Sequence, residues 1–402
     1  MWWHTKISST SRVCLIISEN LRVSTVLFLQ SSAPDNIVNY VITTLHNFLI
    51  VLHEQSANEI DRCNGTQSLI HLLHNTNEKL LTLVSDSLLK LSTYSYHSKI
   101  QIQSSEECVQ CLLGIFDTSK YDKLLLTISK LFPIISSGNE IIKRVFLQSN
   151  ALSIFEKQIR VTRSIRIRHN CLIALRNISD QATRMRDVDT LIQQLISILL
   201  TDDQQAVLCS LGILGNLTAD NRVNKSLVVK FNGVQTLVHK LMVNTDKNDE
   251  VIEATLCTLR HITARHDLEI EAREAIKKAY GIGTIVKLLR EKNFKEHWGI
   301  IKAIVGLIKN LALSPQIIPQ LCEQNALRIL IDLLKMIDQE RTKISIESKQ
   351  YLPQFDFMIE IIIGTLNNLA KDPSCKTIIK EMDAISVLIR VSFLTIEFRI
   401  YD

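Results

Sequence analysis

A chain of 402 residues has room for two or three ordinary domains or for one long array of repeats. With only 11 Gly and 6 Pro it has too few turn residues for a many-stranded β fold, and 46% hydrophobic residues with 5% aromatic exclude disorder and favour helices packed through aliphatic side chains. A net charge of +5 is too small over this length to define a nucleic-acid binder, although charge gathered in one place would favour an acidic partner.

The first residues, Met1-Trp2-Trp3-His4-Thr5-Lys6, lack an apolar run, and the stretch from Val13 to Leu29 is broken by Glu19, Asn20 and Arg22. Neither a signal peptide nor a membrane span is expected, so the reading is a soluble intracellular protein. The 9 Cys are read as reduced thiols packed as small hydrophobes. Cys108-Val109-Gln110-Cys111 has no second pair at metal-ligand spacing. The sequons at Asn64 and Asn216 are expected to be unmodified.

One phrase then recurs along the chain: an apolar helical run, one or two polar residues, another aliphatic. It stands at Leu45-His46-Asn47-Phe48, Leu175-Arg176-Asn177-Ile178, Leu214-Gly215-Asn216-Leu217, Leu259-Arg260-His261-Ile262, Ile308-Lys309-Asn310-Leu311 and Leu366-Asn367-Asn368-Leu369. Weaker copies are Leu89-Lys90-Leu91 and Phe132-Pro133-Ile134. The second residues, at 46, 90, 133, 176, 215, 260, 309 and 367, are separated by 44, 43, 43, 39, 45, 49 and 58 positions. Between the phrases run amphipathic segments with paired leucines, such as Leu69-Ile70-His71-Leu72-Leu73 and Ile285-Val286-Lys287-Leu288-Leu289, each followed by a short polar break.

A period of about 42 residues with the order short helix, helix, polar turn, long helix is that of the armadillo repeat. The expected fold is all-α, a right-handed superhelical solenoid of about eight such repeats. In such a stack the long third helices line one concave face. In the segment 298–311, Ile301, Ile304, Val305, Ile308 and Leu311 have core spacing, while Lys302 and Lys309 lie seven apart on one stripe with Gly306 between them. Two readings of the polar phrase compete. Its residues either bridge neighbouring repeats or form a polar, basic groove for a ligand, and their recurrence at one helical phase favours the groove.

Several stretches resemble the β-catenin and plakoglobin family: Asn170–Thr183, Gly212–Thr218, Cys257–His266, His297–Leu313 and Ile42–Asn47. The resemblance runs from about residue 26 to the C-terminus, as repeats three to ten or eleven, with a flexible insertion at about 336–355. Residues 1–25 form a divergent segment. The family's first two repeats, α-catenin-binding segment, phosphodegron, last repeats and transactivating tail are expected to be missing.

The resemblance implies a non-enzymatic scaffold without cofactors. Its groove would hold extended acidic segments of cadherin cytoplasmic tails, T-cell-factor transcription factors, axin or the adenomatous polyposis coli protein. Wnt signalling, transcriptional coactivation and cell adhesion are the implied roles, for a monomer in the cytoplasm and nucleus and at adherens junctions. Lys99 and Lys225 correspond to the two lysines that pair with acidic ligand residues. His46, Asn47, Lys79, Lys123, Arg176, Asn177, Asn216, Arg260, His261 and Lys302 carry over as groove positions, joined by Lys309 and Asn310 from the phrase. Lys130 stands where the family has Arg, keeping charge but losing the fork.

Two groove tryptophans are replaced by Leu126 and Ile173, and a groove lysine by Pro133, expected to bend or end its helix. A reduced ligand repertoire follows, because aromatic anchors often contribute about 2 kcal/mol or more each. A nuclear-transport receptor or other armadillo adaptor is the alternative, but the former needs a regular Trp/Asn array and the tryptophans here are Trp2, Trp3 and Trp298. No Gly-rich phosphate loop, GxSxG or HExxH supports an enzyme. The basic run Lys157, Arg160, Arg163, Arg166 and Arg168 reads as a solvated helix face, with a nucleic-acid or phosphopeptide contact as the sharper alternative.

Overall fold

Short polar residues start most of the helices. Asn77 accepts from the amides of Lys79 and Leu80, Ser164 from Ile167, Asp203 from Ala206, and Asn248 from Glu250 and Val251. Each satisfies amides that the first turn leaves without a helical partner. The computed structural model describes residues 35–390 apart from 184, 186, 246 and 349–352. The divergent segment 1–25 and the C-terminal residues from 391 lie outside the described residues.

The chain divides into two units, Met1–Arg184 and Met185–Asp402. The first contains α1 (Asp35–Val51), α2 (Glu54–Arg62), α3 (Gly65–His71), α4 (Glu78–Tyr94), α5 (Tyr96–Ser104), α6 (Glu106–Thr118), α7 (Asp122–Ser136), α8 (Glu140–Gln148), α9 (Ala151–Val161) and α10 (Ile165–Ile178). A 3-10 turn, Leu72–His74, follows α3. The second contains α11 (Asp189–Ile198), α12 (Gln204–Thr218), α13 (Arg222–Lys230), α14 (Gly233–Asn244), α15 (Asp249–Ile262), α16 (Glu269–Lys278), α17 (Gly281–Glu291), α18 (Trp298–Leu311), α19 (Ile318–Glu323), α20 (Ala326–Ser348), α21 (Pro353–Leu369) and α22 (Pro373–Glu381). Residues 384–390 are also helical, and there is no strand among the described residues.

All eight copies of the phrase fall on the third helix of a repeat: α1, α4, α7 and α10 in the first unit, α12, α15, α18 and α21 in the second. Within each unit these helices pack side by side in chain order, α1 on α4 on α7 on α10 and α12 on α15 on α18 on α21. Their apolar stripes are buried. In α18, for example, Ile301, Ile304, Val305, Ile308 and Leu311 are all 1% exposed or less. Phe116, Phe132, Phe146 and Phe155 fill the core of the first unit, with ring centroids 5.0–6.4 Å apart.

A second repeating device joins the first helix of a repeat to the next. Asn64, Asn150, Asn232, Tyr280 and Asn325 take left-handed backbone with φ of 56°, 60°, 57°, 59° and 61°. Each is followed by Gly or Ala. Asn tolerates this conformation better than most residues, and the next position must be small. A Cβ on Gly233 would meet Val228 Cγ1 at 2.6 Å, and one on Gly65 would meet Ile60 Cγ2 at 2.5 Å.

Two expectations about irregular segments meet the structure here. α7 continues through Pro133 and ends three residues later at Ser136, so the missing amide affects only its last turn. Helix α20 runs through Ser348, into the 336–355 segment read as a flexible insertion. Within α20, buried Asp338 pairs with Arg341 and Arg390, and Arg341 reaches Asp356 of α21 at 2.6 Å. Residues 349–352 lie outside the described residues.

Candidate functional site

The polar phrase contains two positions with different geometry. Its second polar residue points back to the preceding third helix. Asn177 Nδ2 donates to the Pro133 carbonyl at 3.2 Å and to Ser136 Oγ at 3.0 Å. Asn310 Nδ2 donates to the Arg260 carbonyl at 2.9 Å and Asn368 Nδ2 to the Lys309 carbonyl at 3.3 Å. His261 does the same with Nδ1–H toward the Gly215 carbonyl at 3.1 Å. Every acceptor lies in the last turn of its helix, where carbonyls lack an intrahelical donor. A polar residue in this place is therefore a bridge between repeats, contributing about 1 kcal/mol each.

The first polar residue faces outward. Arg176 is exposed, and Arg260 and Lys309 are half-buried. Among the described residues none of these three, nor Lys79, Lys99, Lys123, Lys130 or Lys302, forms an ion pair. Lysines elsewhere do: Lys143 with Asp180 at 2.8 Å and Lys292 with Asp249 at 2.6 Å. Lys79 and Lys123 are each the second residue of a third helix, α4 and α7, so the positive amide end of the helix adds to their charge. Lys130 on α7 is exposed, and Lys99 on α5 is half-buried.

In the second unit the outward cations lie on a floor supplied by the next third helix. A Cβ on Gly306 of α18 would come within 2.7 Å of Arg260 Cδ. One on Gly364 of α21 would come within 3.1 Å of both Cε and Nζ of Lys309. Gly299, seven residues before Gly306, likewise underlies Glu253, seven before Arg260. Lys302 breaks the rule. Seven before Gly364 stands Phe357, and the Lys302 ammonium sits 4.7 Å from the centre of its ring.

Some sequence-predicted groove residues are held in other ways. Lys225 on α13 is 5% exposed, and its Nζ donates to the Ala264 carbonyl at 3.0 Å. Burial, with Arg265 nearby, pushes its pKa down. His46 is half-buried with Nε2 2.7 Å from Asp86 Oδ2, and this bond, helped by Lys90, holds the Asp86 carboxyl below its usual range. Asn47 is exposed, and Asn216 half-buried on α12. Leu126 and Ile173, which the resemblance reads as replacing groove tryptophans, are half-buried.

His261 supplies no positive charge near neutrality, because burial and the adjacent Arg260 lower its pKa to about 4. Between the ordinary value of 6.5 and about 4, the unfolded chain binds a proton at this residue and the folded chain does not. Stability is therefore expected to fall as pH drops through that window and to level off below it. His261→Asn keeps a donor without the titration, so denaturant midpoints measured from pH 7 to pH 4 should fall less steeply in that variant.

The basic run does not occupy one helix face. Lys157 on α9 pairs with Asp117 at 2.7 Å, Arg160 reaches Glu156 at 3.7 Å, and Arg168 on α10 donates to the Thr162 carbonyl. Arg163 and Arg166 are exposed. Arg163 and Lys157 line an open cleft of about 730 Å³ with Lys120, Leu126 and Val161. The buried thiols of Cys108 and Cys171 are pushed up and remain protonated. Among the described residues no group of three or more metal-ligating side chains is arranged to hold a metal, and no helix is long and apolar enough to cross a membrane.

Three-helix units whose phrases recur every 39 to 58 residues, stacked through their third helices, define an armadillo-repeat protein. A designed armadillo repeat protein, 18% identical, shares the fold with a TM-score of 0.51 over 65% of this chain and 99% of its own. No family model matches the chain. Human junction plakoglobin is 32% identical over 373 residues, 91% of this chain and 49% of that protein. Catenin beta of Urechis caupo is 31% identical over 92% of this chain and 45% of its own length, and the Armadillo segment polarity protein of Drosophila melanogaster 34% identical over 69% and 33%. A solved structure concerning a phosphorylation switch in the interaction between cadherin and β-catenin has a TM-score of 0.78 at 28% identity, covering 87% of this chain and 68% of its own. The chain belongs to the β-catenin and plakoglobin family. It spans about half the length of the plakoglobin and catenin relatives it matches.

Proposed function

We propose that the chain is a non-enzymatic scaffold whose third-helix faces hold extended acidic segments, the cadherin cytoplasmic tail first among them. The supporting observation is that Arg176 in the first unit and Arg260, Lys302 and Lys309 in the second face outward and form no ion pair among the described residues. Similarity to a β-catenin structure concerned with cadherin favours that partner. T-cell-factor transcription factors, axin and the adenomatous polyposis coli protein present the same acidic chemistry, and they extend the reading to Wnt signalling and the nucleus. The relatives named junction plakoglobin favour a place at cell junctions.

Each exposed lysine–carboxylate pair contributes only about 0.2–1 kcal/mol. Affinity then comes from many contacts, and the basic field speeds encounter. Phosphorylating a ligand serine adds charge opposite these cations and tightens binding. The test is a fluorescence-anisotropy titration of the full chain with a cadherin-tail peptide, its serine-phosphorylated form and a T-cell-factor N-terminal peptide. Binding of the cadherin peptide, several-fold tighter when phosphorylated, is expected. Absence of binding by all three overturns the proposal.

A further inference from the structure

The two outward side-chain pairs of the second unit, one acid and cation and one doubly cationic, are built on different floors. Glu253 and Arg260 on α15 lie over Gly299 and Gly306 of α18, so their stems rest on bare backbone. One helix on, Lys309 lies over Gly364, but Lys302 lies against Phe357. That ring is 47% exposed, although Phe355, two residues before it, is 6% exposed and packs edge-on against Trp298 at 5.4 Å. The sequence thus buries one phenylalanine of α21 and leaves the other open beside an ammonium that forms no ion pair among the described residues.

We propose that Phe357 and Lys302 form a specificity-determining subsite, in which the ring takes an apolar side chain of the partner and the ammonium takes an adjacent carboxylate. The occupant is an extended acidic segment in which an aspartate or glutamate neighbours a leucine or phenylalanine. Charge complementarity selects it: Lys302, Lys309 and Arg260 offer three cations in the same unit, and among the described residues none forms an ion pair. The cation–ring contact holds the Lys302 ammonium over the ring. Burial of a partner's side chain there adds a term that a glycine floor cannot supply. With Leu126 and Ile173 at the family's tryptophan positions, an aromatic contact in the second unit gives this chain a preference of its own. The proposal rests on the acidic-segment reading above.

The experiment uses the full chain and two acidic peptides of equal length and charge, one carrying leucine beside its central aspartate and the other serine. Wild type should bind the leucine peptide about tenfold more tightly, the scale of a partly buried leucine. Phe357→Ala should lose most of that preference, bringing its affinities for the two peptides close together, with thermal unfolding confirming an intact fold. Lys302→Met should weaken both peptides. An unchanged tenfold preference in Phe357→Ala, or no preference in wild type, overturns the subsite. Failure of wild type to bind either peptide overturns the acidic-segment reading and the subsite with it.

Discussion

Reversing Lys302 and Lys309 together to glutamate should weaken a cadherin-tail peptide roughly 30-fold, because two attractions of about 0.2–1 kcal/mol each become repulsions of similar size. Both side chains lie on the outward stripe of α18, and neither forms an ion pair among the described residues. Their removal should leave no buried partner exposed, so the helical signal and denaturant midpoint should stay close to wild type. The same two reversals at Lys278 and Lys287, on the first and second helices of a repeat, should change affinity by less than about threefold, since more distant charges are screened. Equal losses from both double variants, read by anisotropy at 0.1 M salt, would assign the effect to net charge rather than to the third-helix face.

Lys225→Glu should behave differently, and mainly as a stability variant. The wild-type ammonium is buried and donates to the Ala264 carbonyl. A carboxylate there would face a carbonyl oxygen with no donor, and an uncompensated buried charge costs about 3–5 kcal/mol. Lys225→Met keeps the volume and loses one hydrogen bond, so its cost should be closer to about 1–3 kcal/mol. Urea unfolding of the two variants separates these outcomes. A Lys225→Glu protein as stable as wild type would show that the ammonium is not held as described.

The repeat was legible because burial imposes a period. Leucines and isoleucines such as Leu175, Leu214 and Ile308 recur where the third helices meet, and counting from phrase to phrase placed all eight of those helices. The division of labour inside the phrase was not legible. Arg176 and Asn177 are adjacent polar residues, about 100° apart on the helix, and nothing in the letters says which one turns toward the previous repeat. The structure resolves the choice by position: Asn177, His261, Asn310 and Asn368 satisfy backbone carbonyls, whereas Arg176, Arg260 and Lys309 remain outward.

The burial of Lys225 was equally hidden, because a lysine stem packs along apolar surface while its tip finds a carbonyl two helices on. One signal does lie in the letters: Asn64-Gly65, Asn150-Ala151, Asn232-Gly233 and Asn325-Ala326 mark the left-handed turn between the first and second helices. The exposure of Phe357 is hidden for a related reason, since an aromatic residue in a mostly apolar stretch such as 355–363 reads as core until its floor partner is known.

The central claim is that the outward cations of the third helices bind an acidic segment, and salt tests it most directly. Affinity of the full chain for a cadherin-tail peptide should be measured from 50 to 500 mM NaCl, a range over which the screening length shrinks from about 14 to about 4 Å. The account predicts a steady fall in affinity of at least about tenfold, with a shallower slope in the Lys302→Glu/Lys309→Glu variant. Affinity that is constant across the salt range, or a slope unchanged in that variant, would contradict it.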